Sequence, residues 1–229
     1  MNGYFVTGTD TGVGKTRITA ALLRAAAASK LRTLALKPVA AGCELVDGEW
    51  HNDDARLLRA EATVLLPYAQ VNPVALKLAM APHLAAAVEG RTLAAGPLVD
   101  HCREVAATPH DLALVEGAGG WLVPLNDRET LADVARGLGW PVILVVGMRL
   151  GCLNHALLTA AEIANEGLTL AGWVANSAWP PMAFHDENLA TLTDRLEVPL
   201  LGVVPYLAGD PDPVAATAAC LDLAPLLRR

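Results

Sequence analysis

The sequence predicts an α/β fold in three layers: a mainly parallel β-sheet flanked by helices on both faces. Three observations predict it. Short apolar runs recur along the 229 residues, Ala- and Leu-rich stretches with helical spacing separate them, and the first run enters a Gly-rich loop followed by a helix. The runs are apolar at successive positions rather than alternating, as expected of strands covered on both faces.

Taken in order, strands are predicted at Tyr4–Thr7, Thr33–Leu36, Leu112–Val115, Val142–Val146, Leu170–Ala175 and Leu200–Val204. The first helix is expected from about Lys15 to Ser29, and a short one over Ala55–Ala60. Leu157, Ala160 and Ala164 fall at i, i+3 and i+7 of another helix. The stretch Glu44–Ala107 is the least regular and reads as an insertion of loops and helices. No repeat, low-complexity linker or clear boundary divides the chain, so residues 1–229 read as one domain.

Composition narrows the function. The hydrophobic fraction of 53% excludes a disordered chain. The net charge of −7, with no Lys/Arg-rich block, argues against a nucleic-acid binder. Cys43, Cys102, Cys152 and Cys220 form no CxxC pair, which argues against a zinc site or disulfide framework and suggests reduced thiols in the cytoplasm. The first strand falls where a signal peptide's apolar region would lie. The longest apolar candidates, Pro141–Met148 and Ala25–Ser29, are short of the ~18 residues of a membrane span.

Ligands of open α/β sheets bind beyond the carboxyl ends of the strands. Those positions here are Gly8, Lys37, Glu116, Gly147, Asn176 and Pro205. The first strand runs into Gly8-Thr9-Asp10-Thr11-Gly12-Val13-Gly14-Lys15-Thr16. Gly12 and Gly14 permit backbone angles that let successive N–H groups converge on phosphate oxygens, and the helix that follows adds its positive end. Lys15 would reach the β- and γ-phosphates, and the Thr16 hydroxyl would ligate Mg²⁺. Five residues, rather than the usual four, separate Gly8 from Gly14, and Thr9 stands where the first glycine would be. Strand, loop and helix together still specify a P-loop NTPase-like fold and a nucleoside triphosphate that drives chemistry on a small molecule.

The other strand ends each have two readings. Lys37 either points into the phosphate site or is a solvated strand-end lysine. Asn52-Asp53-Asp54 either caps a helix or brings one carboxylate, Asp53 or Asp54, to Mg²⁺. Glu116-Gly117-Ala118-Gly119-Gly120 is either a tight turn or a metal-holding carboxylate beside glycines that allow close approach to backbone. Asn176 either serves a turn or pairs with an adenine edge, since its amide donates and accepts together. The six histidines show no metal-ligand spacing.

In combination, YFVTGTDTGVGKT (4–16), LKPVAAG (36–42), NDDA (52–55), LVEGAGGWLVPL (114–125), PVILVVGMRLGCLNHALLT (141–159), LAGWVANS (170–177) and PLLGVVPYL (199–207) resemble the dethiobiotin synthetase family across nearly the whole chain. The resemblance implies a ligase that uses ATP and Mg²⁺ to build a ureido ring from 7,8-diaminopelargonate and CO₂. One amine captures CO₂ as a carbamate, the carbamate attacks the γ-phosphate to form a carbamic–phosphoric anhydride, and the second amine closes the ring and expels phosphate. It assigns catalysis to Lys15 and Lys37, and the metal to Thr16, Asp54 and Glu116. Nucleotide contacts fall on Asp10, Thr11, Gly12, Val13, Gly14, Lys15, Thr16, Glu116, Gly117 and Gly119, with Asn176, Pro205, Tyr206 and Leu207 on the adenine side. Lys37, Ala41, Gly151, Cys152 and Asn154 match substrate positions, the last three at a helix N-terminus reaching the site from a partner subunit in a homodimer. Gly12 stands where some members carry glutamate, Ala41 where serine or threonine is usual, and Asn188 where some carry tyrosine.

Rival readings fit less well. A nucleotide-switch ATPase of the partitioning or positioning type typically carries an early loop lysine, and this chain has no Lys or Arg before Lys15. A small-molecule kinase needs a lid rich in arginine, whereas the arginines here are scattered. A related amide-forming ligase would lack room for a glutaminase domain. A non-catalytic relative would be expected to have lost some of Lys15, Thr16, Lys37, Asp54 and Glu116.

Overall fold

The structure, a computed structural model, describes residues 2–227. In chain order its elements begin with β1 (Asn2–Gly8), α1 (Lys15–Ala28), β2 (Thr33–Leu36), β3 (Val39–Ala41), β4 (Glu44–Val46), β5 (Glu49–His51) and α2 (Asp53–Glu61). There follow α3 (Tyr68–Val71), β6 (Val74–Leu76), α4 (Pro82–Val88), α5 (Ala95–Ala106), β7 (Leu112–Glu116), α6 (Leu131–Leu138) and β8 (Val142–Gly147). The chain closes with α7 (Cys152–Asn165), β9 (Leu170–Asn176), α8 (His185–Leu196), β10 (Leu200–Val204), α9 (Pro213–Ala218) and α10 (Ala224–Leu227).

The six predicted apolar runs form one sheet in the order β10-β9-β8-β1-β7-β2, with every pairing parallel. Successive residues of each central strand enter opposite cores. In β7, Leu112 and Leu114 pack with Ile18, Leu22 and Leu23 of α1, while Ala113 and Val115 join Leu98 and Val99 of α5 and Val134 of α6. In β9, Val174 faces the α1 side, while Trp173 and Ala175 meet Ala156 of α7 and Leu192 of α8. Helices α1, α9 and α10 therefore cover one face and α5 to α8 the other, which is why these strands read as near-continuous apolar runs rather than alternating ones.

Four of the strands run one residue beyond the predicted ends, and the added residues, Gly8, Glu116, Gly147 and Asn176, are the polar or glycine positions that were expected just outside. Glu116 sits in register with Val6, and Asn176 with Gly147. Helix α2 starts two residues before the predicted Ala55 because Asn52 caps it, its side-chain oxygen accepting from the Ala55 N–H at 3.3 Å. The irregular stretch departs most from expectation. Besides helices it holds an antiparallel hairpin, β4 with β5, and the strand β6, which pairs in parallel with β3 just before the stretch. Each of these strands has three residues, too few for a hydrophobic period to register. Among the described residues, no helix is long and apolar enough to cross a membrane.

Candidate active site

The site begins with the loop between β1 and α1. Gly12 and Gly14 hold φ angles of 76° and 88°, in the left-handed region that glycine tolerates. At Gly14 a side chain is also excluded by space, since a Cβ would lie 2.3 Å from the Asn176 amide nitrogen. Gly14 is the N-cap of α1, and no side chain or acidic residue competes for the first-turn N–H groups. The positive end of the helix is thus left for an anionic ligand.

Around this loop the sheet edge supplies charge. Lys37, from the end of β2, is 4% exposed, so the solvated-lysine reading is overturned. Its ammonium donates to Glu116 Oε1 at 2.6 Å and lies 3.3 Å from Asp54 Oδ2. The Thr16 hydroxyl donates to the same Glu116 oxygen at 2.8 Å. The other oxygen, Oε2, is buried without a hydrogen-bond partner. The Lys15 ammonium donates to the Asp10 carbonyl at 3.1 Å. Burial lowers the Lys15 pKa to about 8; Glu116 opposes that shift and the nearby Lys37 charge reinforces it. For Lys37, burial pulls the pKa down, but pairing with Glu116 and Asp54 outweighs it and the net direction is upward. Two cations and two carboxylates therefore share a partly desolvated pocket.

The donors fit magnesium. Thr16, Asp54 and Glu116 offer hard oxygens, and the unpartnered Glu116 oxygen is a vacant acceptor for a cation. Among the described residues there is no cluster of three or more His, Cys, Asp or Glu able to cage a metal. A hydroxyl and two carboxylates suit an ion that keeps several waters and leans on substrate phosphates. Asp54, not Asp53, faces this pocket, for Asp53 lies 3.5 Å from Arg56 on the outer side of α2.

These groups line a cleft of about 950 Å³. Of the residues proposed from sequence, Thr11, Gly12, Gly14, Lys15, Thr16, Lys37, Ala41, Asp54, Glu116 and Gly119 line it. The others stand elsewhere. Asp10 turns its carboxylate to Arg149, whose guanidinium lies 4.9 Å from the centre of the Trp179 ring. Val13 is buried below the loop, its carbonyl accepting from the Asn176 amide at 2.6 Å. Asn176 also accepts from Arg17 at 3.0 Å, so both ends of its amide are engaged with loop and helix. Gly117 packs within the sheet edge, where a Cβ would meet the Phe5 ring at 3.1 Å. Pro205, Tyr206 and Leu207 follow β10 and are at most partly buried. Gly151 caps α7 with φ 97°, Cys152 is buried and Asn154 exposed, and none of the three lines the cleft of its own chain.

Sequence reasoning missed Arg17 and Arg149. Arg17 lines the cleft one residue after the loop, and Arg149 follows β8 by two residues. Proximity to the loop and to a strand end was the available signal.

The chain has close relatives in sequence among known proteins. A family model described as an AAA domain matches residues 2–210. An ATP-dependent dethiobiotin synthetase from Pseudomonas paraeruginosa is 57% identical over 226 residues, covering 99% of this chain and 98% of that one. This chain belongs to the dethiobiotin synthetase family. A synthetase of the same name from Cellvibrio japonicus is 53% identical, over 98% of this chain and 97% of the other. Among solved structures, a ParA family ATPase from Chlorobium tepidum matches with a TM-score of 0.54 at 15% identity, covering 99% of this chain and 95% of that one. The MinD cell division protein of Aquifex aeolicus matches with a TM-score of 0.54, also at 15% identity, over 97% and 88%. At that identity the likeness concerns the fold alone.

Proposed function

We propose that this protein is an ATP- and Mg²⁺-dependent dethiobiotin synthetase that acts on 7,8-diaminopelargonate and CO₂. The observation that carries the reading is the cleft itself. Lys15 and Lys37 stand beside an oxygen set of Thr16, Asp54 and Glu116, and among the described residues no serine, cysteine or histidine lines the cavity. A site with cations and no such nucleophile suits a reaction whose substrates supply the attacking groups.

In this reading one substrate amine adds to CO₂ and loses a proton, giving a carbamate. The carbamate oxygen attacks the γ-phosphorus and ADP leaves, forming a carbamic–phosphoric anhydride. The second amine attacks the carbonyl carbon and phosphate leaves, closing the ureido ring with loss of a proton. Both partners in the phosphoryl step are anions. Lys15 and Lys37 offset their repulsion and stabilise charge in the transition state. The loop N–H groups and the α1 terminus hold the triphosphate in line. Thr16, Asp54 and Glu116 would hold Mg²⁺, which would offset phosphate charge when bound. Asp10, Thr11, Gly12, Val13, Gly14, Gly117 and Gly119 shape the phosphate side, and Asn176, Pro205, Tyr206 and Leu207 the adenine side.

The substrate side is Lys37 and Ala41 together with Gly151, Cys152 and Asn154 of a second copy. Leu150, immediately before that helix, is 95% exposed, and Leu122 on the cleft rim is 54% exposed, as fits faces covered in a homodimer. The protein works as one domain, in the cytoplasm.

The test is incubation with ATP, Mg²⁺, bicarbonate and 7,8-diaminopelargonate, with dethiobiotin read by mass spectrometry and phosphate release in parallel. Product that requires all four additions is expected. Bound ATP without dethiobiotin would overturn the assignment.

A further inference from the structure

The segment between β3 and α5 carries polar groups that the reaction scheme does not use. Asn72, just after α3, is 3% exposed. Its amide nitrogen donates to the Lys37 carbonyl at 2.7 Å and to the Val74 carbonyl at 3.2 Å. Its oxygen accepts from the Tyr68 hydroxyl at 3.0 Å. The Tyr68 oxygen in turn accepts from the Asn52 N–H at 2.7 Å. The Lys37 N–H donates to the Val71 carbonyl at 2.8 Å. Directions along this chain are forced. A backbone N–H can only donate, so the tyrosine O–H is left to donate to the Asn72 side-chain oxygen, and the two carbonyls fix which end of the Asn72 amide is nitrogen. Burial raises the Tyr68 pKa, which keeps it a donor.

The chain joins two places of different origin. One end grips the backbone of Lys37, at the tip of β2. The other grips Asn52, which caps α2 and stands two residues before Asp54. Between them Lys37 and Asp54 meet at 3.3 Å across the cleft. A two-sided clamp on backbone, each member with its hydrogen bonds satisfied, is a rigid way to hold that pair.

We propose that Tyr68 and Asn72 are positioning residues that hold the Lys37 ammonium and the Asp54 carboxylate in register across the cleft. The proposal rests on the reading of Lys37 as a catalytic group. It predicts that loosening the clamp frees the lysine and slows turnover while nucleotide binding, built on the α1 loop, is left alone.

Tyr68→Phe in the full-length protein removes only the hydroxyl and keeps the ring, which stacks on His51 at 3.9 Å. Acetic anhydride labelling of the ligand-free protein, read peptide by peptide, reports how freely Lys37 reacts, with exposed Lys30 as internal control. We expect Lys37 to label about fivefold faster with Lys30 unchanged, kcat to fall about tenfold, and KM for ATP to stay within about twofold. Asn72→Ala, which frees the Lys37 carbonyl directly, should give the same pattern and decides the matter if Tyr68→Phe does not fold. Unchanged Lys37 labelling overturns the proposal, and so does faster labelling with unchanged kcat. If the unaltered protein makes no dethiobiotin, the reaction assignment fails while the labelling still decides the clamp.

Discussion

The phosphate loop and the segment from β3 to α4 face each other across one cleft, and they are built differently. The loop relies on backbone. Its two left-handed glycines and a free helix terminus do the shaping, and Gly14 admits no Cβ because Asn176 lies against it. The facing segment relies on side chains. Its strands have three residues each, and Asn52, Tyr68 and Asn72 bind it to the sheet edge. Lys37 belongs to both, since its ammonium meets Glu116 beside the loop and its backbone is gripped by the segment. A loop made of backbone tolerates few substitutions at a few positions. A region made of side-chain hydrogen bonds yields in smaller steps at more of them.

That contrast can be broken by substitution. Lys37→Ala should have the largest effect, lowering turnover by about a thousandfold, because it removes a cation aimed at developing charge. It also strands Glu116, which is fully buried, so thermal melts should show a loss of about 3 kcal/mol. Gly14→Ala should weaken ATP binding by about a hundredfold in calorimetry, through strain at φ 88° and the clash with Asn176, while circular dichroism stays unchanged.

The pH dependence sharpens the loop side. Lys15 is lowered to about 8 in the free protein, and a bound triphosphate would draw it back up. Affinity for ATP should therefore fall as pH rises above about 8, by up to tenfold per unit, with one proton taken up on binding. Calorimetry in two buffers of different ionisation enthalpy at about pH 9 reads that proton. The stability of the free protein has the opposite slope. Its folded pKa lies below the ordinary 10.5, so stability rises as pH climbs between those values.

On the facing side the steps should be smaller. Asn52→Ala removes the α2 cap and should lower stability by about 1 kcal/mol in denaturant titrations. Ala41→Ser, at the cleft lining, should change kcat or KM by about twofold to fivefold through one added hydroxyl. Identical kinetics in both would remove that position from the site.

Some of the site could be read directly from the chain. Lys15 and Thr16 stood out because a Gly-rich turn after a buried strand has few other uses, and Glu116 because a carboxylate seldom ends an apolar run. Asp54 over Asp53 was implied only by the family resemblance and not legible in the residues themselves, since a one-residue difference in helix phase decides which faces the cleft. Tyr68 and Asn72 were invisible for a related reason. Their partners lie on Asn52 and Lys37, far apart in sequence, and polar residues in an irregular stretch carry no period.

The sequence by itself determined the layered sheet, its strands within a residue or two, and the loop chemistry, because burial on both faces and the steric freedom of glycine are local properties. Only the tertiary structure decided that Lys37 is buried between two carboxylates, that Asn176 ties down the loop, and that Arg149 reaches Asp10. Those contacts join residues that sit on separate strands and loops, and only the packing of the sheet and its helices brings them within hydrogen-bond distance.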